Sequence, residues 1–80
     1  GFGLYCGSTF FGILFRGHLY FKTSDETRQK YLEWGSEPFQ PNAKQTLKAY
    51  YEVPADCIDD AARLSALANE AIDVAAVPEG

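Results

Sequence analysis

The stretch GLYCGSTFFGILFRGHLYFK, Gly3 to Lys22, decides the fold. It reads as three strands joined by two tight turns. Leu4-Tyr5-Cys6, Thr9-Phe10-Phe11 and Leu19-Tyr20-Phe21 are rich in aromatic and large apolar residues, which fit a pleated, half-buried surface. Gly7-Ser8 suits a type II′ turn, because Gly takes the required positive φ cheaply. Arg16-Gly17 is a weaker turn signal, since a type I′ turn would hold Arg16 in an unfavourable conformation. With two-residue loops, Cys6 pairs with Thr9, Leu4 with Phe11, Phe15 with His18 and Leu14 with Leu19. One face is then expected to carry Leu4, Phe11, Ile13 and Tyr20. The other carries Tyr5, Phe10, Leu14, Leu19 and Phe21, with hollows at Gly3 and Gly12. Both faces are apolar, unlike a meander with one side in water.

Working outward, residues 23–35 read as a helix. Thr23 and Glu26 have capping-box spacing, with Ser24 and Asp25 as competing caps. Glu26 and Lys30 are spaced for an i, i+4 ion pair. Thr27, Tyr31 and Trp34 form one stripe beside Leu32, and Gly35 is the stop. Residues 36–54 hold two short strands. Pro38 and Pro41 confine the first, around Phe39, to a sheet edge. Asn42 to Gln45 is a turn. In Thr46 to Val53, Leu47, Ala49, Tyr51 and Val53 line one face, and Pro54 ends the strand. After an irregular turn at residues 55–58, Asp59 or Asp60 caps a helix over 59–75. Leu64, Leu67, Ala68, Ala71, Ile72 and Ala75 form its apolar stripe. Residues 76–80 are a tail. The expected architecture is therefore a single α+β domain over residues 1–80. An antiparallel sheet, built from a meander, a helix, two strands and a helix, carries its helices on one face.

Composition narrows the function classes. Eighty residues, 46% hydrophobic and 22% charged, suit one small globular domain. No apolar run approaches the roughly 20 residues of a membrane span. The net charge is −4, split as six basic against four acidic residues up to Tyr50, and one against seven after it. That distribution argues against a phosphate backbone as partner, which demands clustered Lys and Arg. Cys6 and Cys57 match no metal spacing; reduced thiols in a cytoplasmic protein are expected, with a disulfide as the alternative. Gly1-Phe2 opens directly in strand-like sequence, so a preceding segment is expected to be missing.

Catalytic signals are weak. His18 is the sole histidine and sits beside a turn, where exposure explains it better than general-base chemistry. Asp59-Asp60 is explained by capping. The glycines form no phosphate-binding fingerprint and no serine lies in a nucleophile elbow. No catalytic residue, metal site or cofactor is expected. Trp34 reads as a helix-packing residue, with ligand stacking as its other reading.

Separated blocks carry a resemblance to the N-terminal domain of the TfoX (Sxy) family of bacterial competence regulators: GFGLY at 1–5, FFGIL at 10–14, GHLYFK at 17–22, DETR at 25–28, EPF at 37–39 and YYEVP at 50–54. The resemblance implies a two-layer α+β fold without catalytic residues. It also implies a leading helix and a second, C-terminal domain that this sequence does not show. Arg16 stands where the family usually has an acidic residue or Asn. Full-length members act as regulators of DNA-uptake genes. The expected function is a non-enzymatic, regulatory protein-interaction domain, working as a homodimer or with a protein partner and without direct nucleic-acid binding. The alternative is a small-molecule-binding module on an aromatic sheet face. The candidate surface is Tyr5, Phe10, Leu14, Leu19, Phe21 and Trp34.

Overall fold

The computed structural model describes residues 1–77; residues 78–80 of the expected tail lie outside the described part. The meander forms where its turns place it, as β1 (Phe2–Cys6), β2 (Thr9–Phe15) and β3 (His18–Lys22). Gly7 has φ +62, compatible with the expected II′ turn. At the second turn Arg16 has φ +53 and Gly17 φ +80, the type I′ pattern. Arg16 lies 5.2 Å over the Phe15 ring, a contact that offsets part of its backbone strain. An L residue in the left-handed region costs roughly 1–2 kcal/mol, and Asn tolerates it best. Arg16→Asn should therefore raise stability by about 0.5–1 kcal/mol, read as an increase in thermal midpoint of several degrees.

One pairing differs from the expected register. Cys6 meets Thr9 and Tyr5 meets Phe10, but Leu4 meets Gly12, Gly3 meets Ile13 and Phe2 meets Leu14. Phe11 is thus an extra residue in β2, a β-bulge. A one-residue slip moves side chains to the opposite face. Leu4 and Phe11 consequently leave the face of Ile13 and Tyr20 and pack with Leu19 and Phe21. Tyr5 and Phe10 make the reverse move and join Ile13 and Tyr20. The pairs Phe15–His18 and Leu14–Leu19 stand as expected.

After β3 the chain enters α1 (Asp25–Glu33), then the hairpin of β4 (Pro38–Asn42) and β5 (Gln45–Glu52). Thr23 does not cap α1. Its hydroxyl donates to the Ala49 carbonyl at 2.9 Å, and its N–H to the same oxygen at 2.6 Å, so it still belongs to the sheet. Ser24 caps instead, in a box with Thr27 rather than Glu26. At the other end Gly35, φ +77, closes the helix. Its N–H donates to Leu32 and that of Ser36 donates to Tyr31, a Schellman motif that needs the left-handed residue. At the tip of the β4–β5 hairpin, the Asn42 side chain accepts from the Lys44 N–H at 2.9 Å.

The sheet order is β1-β2-β3-β5-β4, antiparallel throughout, with β1 and β4 as edges. A single turn, α2 (Ala55–Ile58), precedes α3 (Ala61–Ala76), capped by the Asp60 carboxylate accepting from Ala62 and Arg63. The α3 stripe lies on β2 and β3 as its spacing requires. Phe21, Tyr31, Tyr51, Val53, Cys57, Leu67 and Ala71 form the core between the layers. Lys30 bonds Glu70 of α3 rather than Glu26, tying the two long helices together. Cys57 is buried and Cys6 exposed; both are free thiols. No helix among the described residues is long and apolar enough to cross a membrane.

Candidate functional site

The helices shield one face of the sheet. The opposite face is lined by rings supplied by β1, β2, β3, β4 and β5. Tyr5 stacks near Phe10 at 5.2 Å between centroids, and Phe10 near Tyr50 at 5.6 Å. At the other end Phe39 sits 4.9 Å from Tyr20 and 5.3 Å, edge-on, from Phe15. This second group forms a small core of its own, with Phe39 6% and Ile13 8% exposed. The face that the helices leave uncovered is therefore partly closed by the chain's own side chains. What stays open lies toward β1.

The six candidate residues do not share one surface. Phe21 belongs to the core, and Leu19 packs against it under the helices. Leu14 is exposed beside Phe2, on the helix side of the sheet near β1. Tyr5 and Phe10 are on the opposite, aromatic face. Trp34 is in the helical layer, edge-on to Tyr31 at 5.3 Å and bordering a shallow hollow with Pro54, Asp56, Cys57 and Arg63. A ligand platform made of Tyr5, Phe10, Phe21 and Trp34 together is thus ruled out by the fold. The bulge at Phe11 explains the misplacement within the meander, since a local pattern cannot reveal where an extra residue is inserted.

Sequence reasoning missed two features. Tyr20 on β3, Phe39 on β4 and Tyr50 on β5 contribute to the aromatic face; alternation within β3 and β5 was a usable signal for the two tyrosines, but it does not say which rings meet across the sheet. His18, expected to be merely exposed, has a partner: its Nδ1 lies 2.5 Å from the Glu52 carboxylate across the β3–β5 pair. No local signal links residues 34 positions apart. Tyr20 pairs with Glu52 and borders an open hollow with Glu37, Pro38 and Gln40. Burial, then the carboxylates of Glu52 and Glu37, raise its phenol pKa, so it stays a neutral donor. No group of three or more His, Cys, Asp or Glu among the described residues is placed to hold a metal ion.

No curated protein and no solved structure matches the chain. The match lies at the level of the family: residues 1–75 fit the TfoX N-terminal domain. That span takes in every strand and nearly all of α3, so the chain belongs to the TfoX N-terminal domain family.

Proposed function

We propose that the domain is a non-enzymatic interaction module of a regulatory protein, which associates with a second copy or with another protein. The carrying observation is the sheet face that no helix covers, with Tyr5 63% exposed at its β1 end. Monomers rarely leave such apolar surface open without a use. A non-enzymatic reading suits the position of the sole histidine, which is bonded to Glu52 on an exposed part of the sheet. The hollow lined by Tyr20, Glu37, Pro38 and Gln40 is what favours the small-molecule alternative.

Sedimentation velocity at high micromolar concentration tests the reading, with a species of twice the 8.9 kDa chain mass as the expected result. A monomer that instead gains several degrees of thermal stability with one metabolite class would favour the alternative. Direct DNA binding is not expected, because α3 carries only Arg63 as a cation. An anisotropy titration giving a dissociation constant tighter than about 1 μM, with steep salt dependence, would reverse that expectation.

A further inference from the structure

We propose that β1 is the assembly edge, pairing antiparallel with β1 of a second copy across a two-fold axis at Leu4. This rests on the reading of the domain as an interaction module and names the partner and the surface. The two edges of the sheet are protected very differently. β4 carries Pro38 and Pro41 and pairs irregularly with β5, features that discourage a further strand. β1, Phe2-Gly3-Leu4-Tyr5-Cys6, has no proline, no lysine and no charge. The exposed large hydrophobic residues of the sheet are Phe2 at 71% and Tyr5 at 63%, both on β1, and Leu14 at 38%, which pairs with Phe2 from the neighbouring β2. Exposed apolar side chains from both faces, Phe2 on the helix side and Tyr5 on the aromatic side, therefore gather at the unprotected edge.

The strand is also complementary to itself. An antiparallel axis at Leu4 sets Leu4 opposite Leu4, Gly3 opposite Tyr5 of the second copy, and Phe2 opposite its Cys6. Each unlike pair joins a large side chain to a small one, and no like charges meet. The backbone agrees. Cys6 and Thr9 close a two-residue hairpin, a position that hairpin geometry makes a hydrogen-bonded pair, so alternation along β1 turns the N–H and C=O groups of Gly3 and Tyr5 away from β2. In the proposed register these outward groups bond in pairs across the axis. Phe2 and Cys6 of the second copy fall at a non-hydrogen-bonded site, with Cα atoms about 4.5 Å apart.

That last geometry gives the test. In a Phe2→Cys variant, the new thiol and Cys6 of the second copy come within disulfide reach. Oxidation should convert the variant to a covalent dimer on a non-reducing gel. Adding Cys6→Ser should abolish it, which excludes a bridge through Cys57. The unaltered protein should not cross-link, because its two Cys6 residues would stand roughly 13 Å apart along the strands. Tyr5→Pro, which removes an outward N–H at an edge where proline is tolerated, should sediment as a monomer while keeping its circular dichroism. If the unaltered protein dimerises but Phe2→Cys does not cross-link, or Cys6 alone cross-links, the edge assignment is overturned while the interaction module stands. If it remains monomeric throughout, the β1 dimer is overturned and self-association with it.

Discussion

Tyr31→Ala should cost about 3–5 kcal/mol, the range for deleting a buried aromatic side chain. Tyr31 is 1% exposed and stands at the centre of the core, with Tyr51, Val53, Cys57, Leu67 and Ala71 in the same cluster. Its ring meets Trp34 at 5.3 Å and Tyr51 at 6.4 Å, so it joins α1 to the sheet. A chain of this size has a total stability of only about 4–12 kcal/mol. The substitution should therefore remove about a quarter of it or more, read as a fall in the urea midpoint at unchanged slope. Tyr31→Phe separates the ring from its hydroxyl. Burial, then the Glu70 carboxylate and Cys57, hold the Tyr31 phenol well above its ordinary pKa of 10.0. An unfolded chain releases that proton near its ordinary value, whereas the folded chain retains it. This contribution is complete below that pH and is lost as pH rises above it. The urea midpoint of the unaltered protein should fall between neutral pH and pH about 11, and that of Tyr31→Phe should fall less. A midpoint of Tyr31→Ala close to that of the unaltered protein would show that the ring does not anchor the layers.

The elements were legible because each has a local cause. Alternation in β5, the stripe on α3, Gly35 as stop and a cap at Asp59 or Asp60, which the structure places at Asp60, are all decided within a few residues of themselves. The confinement of Phe39 to an edge follows from the two prolines beside it. The faces of the meander were not legible. Phe10, Phe11 and Gly12 are compatible with a regular strand, and only packing against Phe21 and the helices selects the bulge. The caps show the same limit on a smaller scale. Thr23 and Ser24 are both good caps by type, and the bond from Thr23 to Ala49, 26 residues away, settles the choice. The candidate surface failed for that reason as well. Membership of a face was inferred from alternation, and one inserted residue exchanged Tyr5 and Phe10 for Leu4 and Phe11.

Gly12 is where that insertion leaves no room, and Gly12→Val should cost about 3 kcal/mol. A Cβ placed there would lie 2.8 Å from the Tyr20 carbonyl oxygen, 3.1 Å from Phe21 and 3.2 Å from Leu4. The nearest of these is backbone of the neighbouring strand, held by its own pairing, so it cannot yield. Phe21 is in the core, and Leu4 packs against it. Gly12→Ala gains some stability by restricting the unfolded chain, about 0.4–1 kcal/mol where the site is compatible, but the close carbonyl should keep the net effect unfavourable. Gly3 provides the contrast. A Cβ there would come as close, 2.9 Å from Phe10 and 3.1 Å from Tyr5, but these atoms are the far ends of rings on the uncovered face. Rings there can swing away, so Gly3→Ala should stay within about 1 kcal/mol of the unaltered protein. Urea midpoints of the three variants, taken at concentrations too low for self-association, test the difference. A Gly12→Val midpoint as high as that of Gly3→Ala would mean that β2 can shift at the bulge, and that packing around Phe11 does not fix the register of the meander.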